Sequence, residues 1–219
     1  MIWMTGFTVI PLLMVFYYGL TDRSGAFTLA NILAIGSSEH LKALWLSLAL
    51  AGVSTVICLV LAYPLALILR KRHIGKGSFV VFIFILPMWM NFLLRTMAWQ
   101  TLLEKNGVIN TFLTMLHLPN IAIINTPAAI ILGMVYNFLP FMVLPIYNTL
   151  AKIDDNVINA ARDLGADNYQ TLTKILLPLS VPGIVSGITM VFVPALTTFV
   201  ISNLLGGSKI LLIGNVIEQ

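Results

Sequence analysis

The most constraining feature of this sequence is a run of 27 residues, 43–69, that contains no charged side chain and no histidine. At about 1.5 Å per residue a helix of this length extends roughly 40 Å. The hydrocarbon core of a bilayer is only about 30 Å thick. The run therefore predicts a membrane-spanning helix that tilts, extends beyond the core, or bends at Pro64.

Four further apolar stretches predict four further membrane spans. Together the five expected spans cover residues 2–20, 43–69, 78–103, 126–150 and 179–205. Only 9% of the chain is charged, whereas soluble domains carry about 25% charged residues. We therefore expect an all-α membrane protein, a polytopic transmembrane helical bundle. Pro182, Gly183, Gly187 and Pro194 predict that the fifth span is broken or hinged.

The basic residues predict the orientation of this bundle. Arg70, Lys71, Arg72 and Lys76 follow the second span with no acidic residue among them. Such a cluster marks a loop on the cytoplasmic side. Alternation of the spans then places residues 151–178 in the cytoplasm as well.

Residues 151–178 form a polar segment between two uncharged runs. Asp154 and Asp155 suit the start of a helix and Gly165 its end, so we expect a helix over residues 156–164. Asp167 can cap a second helix, which we expect Pro178 to terminate. The segment carries one more negative than positive charge. That excess argues against a hairpin lying on anionic lipid and against a helix-turn-helix reading DNA.

The segment contains Asn159-Ala160-Ala161, then Gly165, then Ile175-Leu176-Leu177-Pro178. This spacing resembles the EAA loop of permease subunits of bacterial ABC importers, whose pattern is E-A-A, three residues, Gly, nine residues and I-x-L-P. The resemblance implies that a cytoplasmic two-helix coupling loop docks on a separate ATPase subunit. It assigns coupling roles to Asn159, Ala160, Ala161, Arg162, Asp163, Gly165 and Pro178. Asn159 departs from the pattern, because the family has Glu there.

Residues 10–22, 86–99, 136–148 and 195–217 are similar to the B-type permease of spermidine/putrescine importers. The resemblance implies a multi-pass subunit of the bacterial cytoplasmic (inner) membrane that translocates polyamines. Its partners would be an ABC ATPase dimer that binds the ATP, a second permease subunit and an extracytoplasmic substrate-binding protein. Such permeases usually have six spans, so residues 1–219 are expected to form one transmembrane domain that is C-terminally incomplete or unusually short. A permease for another small organic solute, or a passive channel or scaffold, is the alternative.

Polar and aromatic residues inside the expected spans are candidates for the substrate pathway. They are Trp89, Asn91, Arg95, Trp99, Tyr136 and Asn137. An arginine at the bilayer centre costs about 3 kcal/mol on insertion scales, so Arg95 should face protein or water. Each of these residues could instead have a structural role. Arg95 could donate to backbone carbonyls or extend to the membrane interface. The tryptophans could form an interfacial belt, and Asn137 could form a hydrogen bond between two helices.

The sequence argues against catalysis, a resident cofactor and a metal site. The three histidines are dispersed at positions 40, 73 and 117, and Cys58 is the one cysteine. Residues 75–78 lack the spacing of a phosphate-binding loop, so ATP is not expected to bind there. We expect a transport subunit that is not itself an enzyme.

Overall fold

The computed structural model describes residues 2–21, 26–28, 36–71, 86, 88–207 and 210–218. These residues fall into two compact units that divide between Trp45 and Leu46. The first unit contains helix α1, Ile2–Gly19, with Pro11 inside it. An isolated antiparallel bridge between Thr21 and Phe27 follows this helix.

Helix α2 begins in the first unit and ends in the second, and the later helices belong to the second unit. In chain order they are α2 Ser38–Lys71, α3 Phe92–Leu103, α4 Val108–Met115, α5 Pro127–Ala151, α6 Asp155–Asp163, α7 Asn168–Thr171, a π-helix Leu172–Leu176, α8 Leu177–Thr197, α9 Val200–Leu205 and α10 Ile213–Glu218. Three stretches of the described chain are long and apolar enough to cross a membrane: Ser38–Lys71, Pro127–Ala151 and Asn168–Thr197. The helical character expected from the apolar runs is confirmed for these stretches.

Helices α5 and α8 pack closely because α8 presents glycine to α5. A Cβ atom added at Gly183 would lie 2.7 Å from the carbonyl oxygen of Pro145 and 2.5 Å from Thr149 Oγ1. One turn further along, Gly187 faces Met142 in the same way. Small residues four positions apart allow two helix backbones to approach, as is common between membrane helices.

Helix α2 joins this pair through buried polar contacts. The hydroxyl groups of Tyr63 and Ser180 are 3.1 Å apart, which links α2 to α8. Ser54 donates to the sulfur of Met134 at 3.4 Å, which links α2 to α5. Hydroxyl contacts of this kind satisfy polar groups where no water is present.

The third span is not the continuous helix that residues 78–103 predict. Asn91 is the N-cap of α3, and its side-chain oxygen accepts from the backbone N–H of Leu93 at 2.8 Å. The helix therefore begins at Phe92 and is 12 residues long. Residues 78–85, like Arg72, His73 and Lys76 of the expected basic loop, lie outside the described residues.

The expectation that Pro178 ends the second hairpin helix is wrong. The chain remains helical over the 30 residues Asn168–Thr197. A π-helix precedes the proline, and the backbone N–H of Leu177 donates to the carbonyl of Leu172. The wider π turn accommodates a residue that lacks an N–H group and whose ring would clash in a regular turn. Hairpin and fifth span are consequently one helical stretch.

Two other regions differ in detail from the expectation. The predicted loop 104–125 contains helix α4. The fifth span is interrupted, but not at the residues predicted to break it: α8 continues through Pro182, Gly183, Gly187 and Pro194, and Thr198 is extended between α8 and α9. After the break the chain folds back, and the backbone N–H of Ile213 donates to Ser47 Oγ at 2.8 Å. Asn215 Nδ2 donates to Asn203 Oδ1 at 2.6 Å, which joins α10 to α9.

Candidate functional site

The hairpin of α6 and α7 has the capping chemistry that its sequence predicts. Asp154 is the N-cap of α6, and its carboxylate accepts from the backbone N–H of Asn156 at 2.9 Å. Gly165 has φ +86° and donates to the carbonyl of Arg162 at 2.8 Å. A left-handed residue at this position closes the helix end, which glycine does without steric cost. The turn between the two helices is thus defined locally.

The second helix of the hairpin starts with a complete capping box. Asp167 Oδ1 accepts from the backbone N–H of Gln170 at 2.6 Å, and Gln170 Oε1 accepts from the backbone N–H of Asp167 at 3.4 Å. Two backbone donors that would otherwise lack partners are satisfied reciprocally. The sequence predicted Asp167 as the cap.

Arg70 at the end of α2 holds the base of the hairpin. Its Nη2 atom donates to the carbonyl of Ile153 and to Asp155 Oδ1, both at 2.9 Å. The side chain of Arg70 is largely buried, whereas that of Asp155 is mostly exposed. In the sequence, Arg70 is only one of the basic residues that predict the orientation of the bundle, and this contact was not predicted.

The hairpin carries several exposed apolar side chains. Leu164 is 90% and Tyr169 is 73% exposed, and Val157 and Ala160 are also open to solvent. The positions 157, 160 and 164 repeat at helical spacing, so they share one side of α6. Ile158 and Ala161 follow the same spacing and are buried, so the spacing alone does not identify Leu164 as a surface residue. Large apolar side chains grouped on a surface are typical of an interaction site.

The residues assigned to the coupling motif lie on different sides of the hairpin. Ala160 is exposed, but Ala161 is buried next to Ile158. Asn159 and Arg162 line a cleft that Leu67 and Arg70 of α2 also line. Asp163 is exposed near the turn, and Pro178 is exposed at the start of α8.

Three of the six candidate pathway residues form one cluster. The guanidinium carbon of Arg95 lies 5.8 Å from the ring centroid of Tyr136. Trp99, one helical turn from Arg95, meets the same ring edge-on with centroids 5.2 Å apart. Arg95 is only 6% exposed. The arrangement places a cation over an aromatic face, which stabilises the charge where water is scarce.

Asn137 is completely buried beside this cluster. Its Nδ2 atom donates to the carbonyl of Gly133 at 2.8 Å and approaches Thr96 Oγ1 at 3.5 Å. Within the described part of the chain, no group donates to its Oδ1 atom. A buried acceptor without a donor is destabilising, so its presence calls for a reason other than packing.

Trp89 and Asn91 do not join the cluster. Trp89 is 76% exposed, and the side chain of Asn91 is engaged in capping α3. The prediction that both share a helix with Arg95 is wrong, because the chain leaves helical geometry at Asn91. The N-cap at Asn91, rather than the length of the apolar run, determines where these two residues lie.

Comparison with known proteins identifies the family of this chain. The chain belongs to the family described as binding-protein-dependent transport system inner membrane component, whose profile matches residues 1–217. It is a multi-pass protein of the inner membrane, and members of this family are transport components.

Curated relatives show which members of that family the chain is similar to. The chain is 38% identical over 226 residues to the spermidine/putrescine transport system permease protein PotB of Haemophilus influenzae, covering 99% of this chain and 79% of the relative. It is 39% identical over 224 residues to PotB of Escherichia coli, covering 99% and 82%. The inner membrane ABC transporter permease protein YdcU of Escherichia coli is 32% identical over 193 residues, covering 82% and 62%.

Proposed function

We propose that this chain is the membrane-spanning permease subunit of an ATP-driven importer that carries polyamines. The observation that supports this most strongly is the similarity to PotB permeases over 99% of the chain. The chain would work with a second permease subunit, a separate ATPase dimer and an extracytoplasmic substrate-binding protein. The domain would cross the membrane five times, with the hairpin of α6 and α7 in the cytoplasm.

The hairpin is the surface that would contact the ATPase. Its exposed apolar side chains, Val157, Ala160, Leu164 and Tyr169, suit a groove on a protein partner. The side chains around it are charged, which suits the polar rim of such an interface. Movement of the ATPase on ATP binding would then displace the hairpin.

The continuous helix Asn168–Thr197 would carry that displacement into the membrane. Its first turns belong to the hairpin, and its later turns pack on α5 through Gly183 and Gly187. Because these contacts are close and nearly rigid, α5 would move together with α8. Tyr136 and Asn137 are on α5, so ATP-driven movement would reach the candidate pathway.

The pathway would bind a polycation without forming ion pairs to it. Residues 2–20, 43–69, 78–103, 126–150 and 179–205 contain no Asp or Glu. Aromatic faces such as Tyr136 and Trp99, together with amide and carbonyl oxygens such as Asn137 Oδ1, would contact the ammonium groups. Arg95 would repel the cargo and prevent it from remaining bound.

Reconstitution tests this proposal directly. The chain, its second permease and its ATPase, identified from neighbouring genes, would be placed in vesicles with the binding protein outside and ATP inside. We expect uptake of labelled spermidine or putrescine that requires both ATP and this chain. Uptake that continues without ATP would instead support a passive channel.

A second cargo class follows from Arg95 itself. Its buried guanidinium suits an anionic or zwitterionic solute better than a polycation. In the same vesicles, labelled amino acids and dicarboxylates would be compared with spermidine. Uptake of an anionic solute that is lost on Arg95→Gln would favour this second candidate, whereas spermidine uptake retained or raised by the same change would favour the first.

A further inference from the structure

A cleft of about 620 Å³ lies between the end of α2 and the inner side of the hairpin. The apolar part of its wall consists of Leu67, Ile158, Leu172 and Leu176. Val157, Ala160, Leu164 and Tyr169, the exposed residues that we assign to the ATPase, do not line it. The cleft is therefore distinct from those four residues, although two residues of the coupling motif, Asn159 and Arg162, line it.

The polar part of the cleft is positively charged. Arg70, Lys71 and Arg162 line it, and Asp155 is the one carboxylate among its lining residues. That carboxylate is already paired with Arg70 at 2.9 Å. Lys71 and Arg162 remain exposed around the opening. The hairpin alone has an excess of negative charge, so the positive character arises only where the end of α2 joins it.

The cleft is placed at the end of a membrane-crossing helix. Arg70 and Lys71 are the last two residues of Ser38–Lys71, one of the helices long enough to cross a bilayer. Long basic side chains near the end of a membrane helix reach toward the lipid headgroups. The cleft therefore combines apolar residues and cations at the end of a helix that can cross a bilayer.

Asn159 keeps the cleft positive. It lines the wall at the position where the EAA pattern has Glu. A carboxylate there would offset one of the two cationic side chains, Lys71 and Arg162, that line the cleft besides the paired Arg70. The neutral amide leaves these two available to an anion.

We propose that this cleft binds the phosphate-bearing headgroup of an anionic phospholipid from the surrounding leaflet. The phosphate would lie against Lys71 and Arg162, with the first part of an acyl chain against Leu67 and Leu172. Such a lipid would connect the end of α2 to the hairpin beside the Arg70–Asp155 ion pair. The proposal goes beyond the transport function and does not depend on cargo or on docking of an ATPase.

Retention of lipid by the purified full-length chain tests the proposal. Protein would be exchanged into detergent with equal amounts of phosphatidylglycerol and phosphatidylcholine, and bound lipid would be counted by native mass spectrometry. We expect preferential retention of phosphatidylglycerol. Each basic contact to an anionic surface contributes about 1 kcal/mol, so Arg162→Gln should reduce retention about fivefold. Asn159→Glu should reduce it by a similar factor.

Two matched variants control for general charge and for folding. Asn156→Glu adds the same carboxylate to α6 outside the cleft, and Lys174→Gln removes an exposed cation of the hairpin outside the cleft. Both should retain phosphatidylglycerol as the parent does, and circular dichroism should show the same helicity in all variants. Equal retention of the two lipids, or unchanged retention in Asn159→Glu and Arg162→Gln, would overturn the proposal. Binding of inorganic phosphate alone, with no lipid retained, would also overturn it.

Discussion

Arg70 and Asp155, 85 positions apart in the chain, form an ion pair with 2.9 Å between Nη2 and Oδ1. The same nitrogen of Arg70 donates to the carbonyl of Ile153. A single side chain at the end of α2 thus fixes both the chain entering the hairpin and the first turn of α6. The hairpin is tied to the membrane helix at its base, while Gly165 at its turn is exposed.

We expect Arg70→Gln to destabilise the protein more than Asp155→Asn does. Arg70 makes two contacts and is mostly buried, whereas Asp155 is mostly exposed. Thermal unfolding of the two single variants and the double variant in detergent would give the coupling energy, which should be about 0.5 kcal/mol for so exposed a pair. Lys174→Gln, an exposed cation on the same hairpin, is the control. A larger loss from Asp155→Asn would contradict this assignment.

Gly165→Pro should abolish ATP-driven uptake while the protein still inserts in the membrane. Proline holds φ near −65°, whereas Gly165 has φ +86° and its N–H donates to Arg162. Gly165→Asn is the matched control, since asparagine tolerates a left-handed backbone, and it should keep most of the uptake. Full uptake by the proline variant would remove the claim that the hairpin transmits movement.

Gly183→Ala should loosen the contact between α5 and α8. The new methyl group would meet the carbonyl of Pro145 and the hydroxyl of Thr149. Overpacking of this kind costs about 1–3 kcal/mol of unfolding free energy. Gly52→Ala, in α2, is the control, because no atom lies within 4 Å of the added methyl group. Equal melting temperatures for the two variants would show that α8 can shift without loss.

Asn137→Leu should leave unfolding free energy nearly unchanged but reduce uptake. The substitution removes a buried oxygen that has no donor among the described residues. Asn110→Leu provides the contrast, since Asn110 is also buried and its side chain makes three hydrogen bonds, to Glu104 and twice to Ile121. We expect Asn110→Leu to cost about 3 kcal/mol. A strongly destabilised Asn137→Leu would make Asn137 a structural residue.

Much of the hairpin could be predicted from local chemistry. Asp154, Gly165 and Asp167 act through neighbouring backbone groups, so their positions in the sequence predict their roles. The apolar runs likewise predict helices α2, α5 and α8, because uncharged stretches of this length have few alternatives to a membrane-buried helix. The family resemblance added the motif and the polyamine relatives. The comparisons confirm the family and the polyamine relatives, and the coupling motif stays a prediction.

The candidate pathway was less predictable. Arg95, Trp99 and Tyr136 meet across two helices, and the sequence could place each in a span but not the contact among them. The sequence predicts that Asn91 lies inside a span, because an asparagine that caps a helix and an asparagine inside a membrane helix cannot be told apart within an apolar run. The structure shows that its side chain caps α3.

The sequence by itself determined which segments are apolar enough for a membrane and where the polar hairpin begins, turns and caps, since these depend on neighbours within a few residues. Only the tertiary structure decided that Pro178 lies within one continuous helix from Asn168 to Thr197, that Ala160 faces outward while Ala161 is buried, and that Arg70 reaches Asp155. Those outcomes depend on contacts between residues distant in the chain, and no local pattern specifies the packing that brings them together.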